Sequence, residues 1–236
     1  MGDIGDVDVD IVILAAGMGT RLGRPLPKPL TRLVDGRTIL GQQLGNVRKV
    51  FGDQSRIMLV VGFKLEQIIE AAPDVAFAYN EAYDQTNTSK SLLKAMRLTA
   101  ERPVLWMNGD VVFDPSVLER VEPLVRDGRS FVCVNTAKVG DEEVKYTLRP
   151  DGSIDALSKV VEDGLGEAVG INFVAAADKA ALVRHLDEVD EQDYFERAME
   201  LSIERDGTRY EPIDISDLFA VEVDIEADLD VANSHL

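Results

Sequence analysis

A chain of 236 residues with 45% hydrophobic and 29% charged residues has the size and composition of one globular domain with a sizeable core. Its 43 acidic residues against 25 basic ones give a formal charge of -18, so a binder of nucleic acid or of anionic membrane is not expected. The lone Cys133 can form no internal disulfide and suits core filling in a reducing cytoplasm. No apolar run approaches the ~18 residues of a membrane span, and the acidic start reads as no signal peptide.

In chain order, Val9–Leu14 is a β-branched, continuous apolar run stopped by Gly17 and Gly19, which predicts a buried strand. A helix is predicted over 38–51, with Leu40, Leu44, Val47 and Val50 on one face, then a strand over 57–61 and a short helix over 65–71. A strand over 75–79, a polar loop over 80–87, a helix over 88–99 and a strand over 104–107 follow. A helix over 115–126, with Asp114 as its N-cap, and a strand over 130–136 close the first half. This alternation predicts an α/β sandwich around a mostly parallel sheet. Beyond it lie a hairpin over 143–159 around Pro150, Asp151 and Gly152, and a strand over 168–175. Helices over 178–186 and 193–205 and a strand over 218–225 complete the chain, with 187–193 read as a solvated acidic connection. One domain is the economical division, 1–136 binding one ligand and 137–236 covering the strand ends where open α/β sheets bind ligands.

The most informative stretch follows the first strand: Leu14, Ala15, Ala16, Gly17, Met18, Gly19, Thr20, Arg21 and Leu22. Small residues there let backbone N–H groups approach phosphate oxygens. The dinucleotide fingerprint fails because Leu22 stands where a third glycine or alanine is required, and the P-loop pattern fails at Gly23, Arg24 and Pro25. Both patterns also need a helix to open from the loop, which Pro25, Pro27 and Pro29 forbid.

This loop, followed by Pro27, Lys28, Pro29 and Leu30, resembles the signature of the nucleotidyltransferases that make NDP-sugars and related CDP compounds. The stretches 79–83, 87–92 and 223–229 are similar to the branch holding bacterial phosphocholine and inositol-1-phosphate cytidylyltransferases. The resemblance implies a Rossmann-like nucleotidyltransferase sandwich, a small C-terminal acceptor-binding part, Mg²⁺ as cofactor, and transfer from an NTP, CTP first among them. The acceptor would be a small phosphate or phosphonate. Asp110 and Asp224 would hold the metal, Arg21 and Lys28 would face the triphosphate, and residues 14–20 would cradle it. Lys145, Lys159 and Gly170 would meet the acceptor, although exposed hairpin lysines and a strand bulge explain these three equally well. Asn87, Ser89 and Ser91 carry donors and acceptors suited to a pyrimidine edge, and equally form an N-capping cluster. Glu222 and Glu226 read as surface residues.

The chemistry itself needs no nucleophilic side chain, since the acceptor oxygen is already an anion; neither His185 nor His235 belongs to a triad. A sugar-1-phosphate enzyme using UTP, dTTP or GTP shares the same loops. A glycosyltransferase would want an Asp-X-Asp metal motif, whose first position is here Asn108. A silent regulatory subunit could dispense with the carboxylates and cations that are present. Homo-oligomerisation is left open. Over 141–148, Tyr146 is the sole ring and Lys145 would repel a choline cation, so phosphocholine is expected to be a poor acceptor.

Overall fold

The structure is a computed structural model and describes residues 8–19, 22–137, 139–140 and 143–236. Strand β1 (Asp10–Ala15) lies at the centre, between β2 (Arg56–Val61) and β4 (Val104–Asn108), parallel to both; β3 (Ala76–Tyr79) continues the sheet beyond β2. Its unbroken apolar run follows from burial on both faces. Ile11 and Ile13 point into one hydrophobic cluster and Val12 into the other, as a side-chain period of two requires.

Helices α1 (Ile39–Phe51), α2 (Leu65–Ala71) and α4 (Pro115–Arg126) cover the first face. The second is covered by α3 (Thr88–Met96), α5 (Ala176–Glu188) and α6 (Phe195–Asp206). Apolar spacing along the helices accounts for this: Leu40, Leu44 and Val47 of α1 recur at helical intervals and are buried. Thr38 caps α1 by accepting the Gly41 N–H at 3.0 Å.

The second half of the chain does more than cover strand ends. Strand β9 (Glu167–Val174) runs antiparallel between β4 and β6 (Phe131–Asn135), and β10 (Glu211–Asp214) extends the sheet beyond β6. The hairpin of β7 (Lys145–Leu148) and β8 (Ile154–Ser158) joins the same nine-stranded sheet through β9. Sequence periodicity says nothing of strand direction, so the antiparallel insertion is visible only in the structure.

Besides a single 3-10 turn at Lys28–Leu30, three elements were not foreseen: β5 (Val111–Phe113), β10 and the terminal helix α7 (Glu226–His235). The late strand shrinks to β11 (Ala220–Glu222), antiparallel to β5 in a separate two-stranded sheet. Asp114 precedes α4 as expected but makes no capping bond with its side chain; its carboxylate meets His235 at 3.0 Å instead. Cys133 is buried and free, and burial pushes its thiol pKa up. His185 is structural, held by Glu188 at 2.9 Å and Asp206 at 2.6 Å. Among the described residues no helix is long and apolar enough to cross a membrane.

Candidate active site

A cleft of about 360 Å³ opens at the carboxyl ends of β1 and β4, where an α/β sheet presents ligands to its loops. Leu14, Ala15, Ala16, Gly17, Met18 and Gly19 line it, as the glycine-rich loop predicts; Thr20 and Arg21 lie outside the described residues. Gly19 has φ +57, and a Cβ there would come within 2.9 Å of the Lys28 Cβ. The glycine thus permits both the turn and the approach of the lysine.

Lys28 sits in a single 3-10 turn, Lys28–Leu30, rather than in the extended segment its flanking prolines predict, and only 8% of it is exposed. Its ammonium reaches Asp110 Oδ2 at 2.9 Å and Asp224 Oδ1 at 2.5 Å. Burial alone would lower the Lys28 pKa, but the charges and hydrogen bonds of the two aspartates outweigh it and leave it raised.

Helix α1 shapes the turn that carries Asp110. The buried Gln43 amide donates to Asn108 O at 2.8 Å and Val111 O at 2.9 Å, one on each side of Gly109 and Asp110. Gln42 and Asn46 donate to Phe113 O at 2.5 and 2.7 Å. Asp224 arrives from the far end of the chain, where the β5–β11 ladder and a Val223 N–H to Asp110 O bond of 2.9 Å set its register. The Asp228 carboxylate accepts the N–H groups of Asp224 and Ile225, both at 2.9 Å.

The same ladder brings Glu222 opposite Val111, so this residue is no surface carboxylate but a wall of the cleft. The signal lay in the alternation Val221, Glu222, Val223, Asp224, which puts both acids on one side of a strand. One carboxylate oxygen from each of Asp110, Glu222 and Asp224 lies within 4.8 Å of the others. Burial, then the charges of Asp110 and Asp224, push the Glu222 carboxyl up to about 8. Asp110 Oδ1 is buried with no hydrogen-bond partner among the described residues. Three clustered carboxylates and an orphaned oxygen form a hard donor set that fits Mg²⁺.

Opposite the carboxylates, Thr86, Asn87, Thr88 and Ser91 line the cleft. Asn87 is largely spent on structure: its Oδ1 accepts the Thr88 N–H at 2.8 Å and its Nδ2 donates to Gln192 O at 3.2 Å. Ser89 is fully buried and does not line the cleft, while Ser91 Oγ accepts from Asn80 at 3.0 Å. The acidic connection 187–193 is therefore no mere solvated link. It accepts the Asn87 N–H at Glu191 O and the Ser89 N–H at Asp193 O, and it braces the loop.

The other wall is Tyr194, Phe195 and Glu196 at the start of α6, which did not stand out in the sequence, and Tyr83 from the stretch 79–83 also lines the cleft. Lys159 stands 4.8 Å from the centre of the Tyr194 ring, at the edge of this wall. Lys145 and Gly170 do not line the cleft. Gly170 has φ +71, and a Cβ there would lie 2.7 Å from Asn108 Nδ2, so it serves the packing of β9 on β4. Tyr146 is 97% buried in the core, 3% of it being exposed. The aromatic side chains lining the cleft are Tyr83, Tyr194 and Phe195, which alters the premise on which phosphocholine was discounted.

Three comparisons bear on this geometry. One solved structure, the CTP:phosphocholine cytidylyltransferase of Streptococcus pneumoniae, superposes with a TM-score of 0.75 at 19% identity, covering 97% of this chain and 99% of that one. The inositol-1-phosphate CTP transferase of T. maritima gives 0.76 at 17% identity, covering 94% and 93%. The CMP-5'-(3-aminopropyl)phosphonate synthase of Streptomyces rubellomurinus is 41% identical over 124 residues, 49% of this chain. The matched stretch spans only 19% of that relative's length. The two structures share the sandwich fold, and the profile of the MobA-like NTP transferase domain matches residues 11–195. With its glycine-rich loop, Lys28, Asp110 and Glu222 lining one cleft, the chain belongs to the MobA-like NTP transferase domain family.

Proposed function

We propose that this cleft transfers a nucleotidyl group from an NTP, CTP first among them, to a small phosphate or phosphonate acceptor and releases pyrophosphate. The observation that carries the reading is the meeting of a glycine-rich loop, Lys28 and three carboxylates from distant parts of the chain. CTP is favoured because the named products and substrates of the three relatives above are cytidylyl compounds.

In this reading an acceptor oxygen attacks the α-phosphorus. The new P–O bond forms as the bond to the β-phosphate oxygen breaks, and pyrophosphate leaves with that electron pair. No proton need move, because the attacking oxygen is already an anion. The backbone at 16–19 holds the phosphates, and Lys28 offers its charge to the departing oxygen. Asp110, Asp224 and Glu222 would hold Mg²⁺, which supplies charge neutralisation and alignment of two anions. The rest is positioning by a rigid frame.

The test is a screen of four NTPs against phosphocholine, inositol phosphate, sugar 1-phosphates and aminoethylphosphonate, read by pyrophosphate release. Turnover with CTP and a phosphonate or polyol phosphate, lost on chelation and restored by Mg²⁺, is expected. Bound NTP without turnover for any acceptor would make this a silent nucleotide-binding subunit.

A further inference from the structure

One carboxylate in the cleft has no part in the transfer step. Glu196, the second residue of α6, lines the cleft and is only 8% exposed, and its Oε2 has no hydrogen-bond partner among the described residues. Its neighbour one turn on shows the contrast. Glu200 accepts the Leu157 N–H at 3.0 Å and meets Arg197 at 3.2 Å. Burial pushes the Glu196 carboxyl up to about 7, against its own backbone N–H and the charge of Lys159. A buried carboxylate oxygen without a donor is costly unless a ligand supplies one.

We propose that Glu196 is the counter-ion for an N–H-bearing cation on the acceptor, which is therefore a zwitterion: phosphonate or phosphate at one end, ammonium at the other. The proposal rests on the nucleotidyl-transfer reading above. A primary ammonium brings both a full positive charge and donors, giving a charge-assisted hydrogen bond to Oε2. A polyol hydroxyl brings a donor without charge. A quaternary ammonium brings charge without a donor, and would leave Oε2 unsatisfied. The amino group of a cytosine base is also a donor, but it returns less than a full charge to a buried carboxylate.

Matched acceptors decide this under saturating CTP. In the wild-type protein, kcat/KM for 2-aminoethylphosphonate should exceed that for ethylphosphonate by about tenfold or more, ~1.4 kcal/mol of preferential transition-state binding. Phosphoethanolamine should exceed phosphocholine similarly. Glu196→Gln should shrink both ratios by about tenfold, and Glu196→Asp less. The wild-type ratios stand as the test if the glutamine variant does not fold. Equal rates for matched acceptors in the wild type overturn the proposal. So does an equal fall for both acceptors in Glu196→Gln, or a change in CTP-against-UTP discrimination in place of amine preference. Turnover of sugar or polyol phosphates alone sinks the zwitterion and leaves nucleotidyl transfer standing. Silence with every acceptor removes both.

Discussion

The two ends of the cleft are built on opposite plans. At the carboxylate end the functional groups face one another directly: Lys28 bridges Asp110 and Asp224, and Glu222 stands beside them. Their supports, Gln43 and Asp228, sit behind and hydrogen-bond to backbone. At the end formed by the loop before α3 the conspicuous polar side chains are themselves the supports. Asn87 ties Thr88 to Gln192 while itself lining the cleft, and Ser89 is buried behind the lining. Charge clusters act on a ligand by field and tolerate few substitutes, whereas a braced loop works by shape and distributes its role over many hydrogen bonds. Substitutions at the first end should therefore act on turnover, and those at the second on stability and nucleotide KM.

The largest effect is expected at the carboxylates. Asp110→Ala and Asp224→Ala should each cut kcat by about a hundredfold or more, since each takes a charge from the metal that the triphosphate cannot replace. A melting curve should still show a cooperative transition near that of the parent. If Asp224→Ala turned over at a near-normal rate, the ladder of β5 and β11 would be positioning the wrong residue.

Lys28→Ala should follow, with kcat lowered by about tenfold to a hundredfold, because negative charge on departing pyrophosphate loses its partner. The same change sharpens the comparison in the other direction. Without the ammonium that now bridges the two aspartates, Mn²⁺ or Mg²⁺ titrated calorimetrically in the absence of nucleotide should bind more tightly. Weaker metal binding in this variant would show that Lys28 supports the carboxylates instead of competing for them.

Gln43→Ala tests a support behind the charged end. It leaves the carbonyls of Asn108 and Val111 without their donor, at a cost of roughly 1–3 kcal/mol in denaturant unfolding. The metal concentration for half-maximal activity should rise with it, as the Asp110 turn loosens. Unchanged metal dependence would confine Gln43 to stability.

Asn87→Ala should be the mildest. Loss of the α3 cap and of the tie to Gln192 should cost roughly 1 kcal/mol and raise the nucleotide KM with little change in kcat. A collapse of kcat there would mean that Asn87 touches the reacting groups, and the contrast between the two ends would dissolve.

The same contrast decides what was legible beforehand. Residues 14–19 and Lys28 stood out as small residues after a strand and a lysine between prolines, whereas Asp110 and Asp224 were picked out through the resemblance, each alone being one aspartate among many. Glu222 carried a usable signal, the alternation with Asp224, but one acid among 43 acidic residues is easily taken for surface. Tyr194, Phe195 and Glu196 carried none, since nothing in a helical start says which cleft it will border. Lys145 and Gly170, drawn from the resemblance, lie off the cleft lining, and the glycine serves backbone packing.

By itself the sequence determined the alternating strands and helices, the two-faced burial of β1 and the small-residue, proline-stopped character of the first loop. Those are local properties: apolar period, β-branching, small residues and prolines act within a few neighbours of themselves. The antiparallel run of β9 between β4 and β6, and the ladder that brings Glu222 and Asp224 to Asp110, were settled only by the tertiary structure. So were the acidic connection that holds the loop before α3 and the burial of Glu196 beside the cleft. Each joins segments far apart in the chain, where pairing is chosen by the packing of the whole and not by the residues' own preferences.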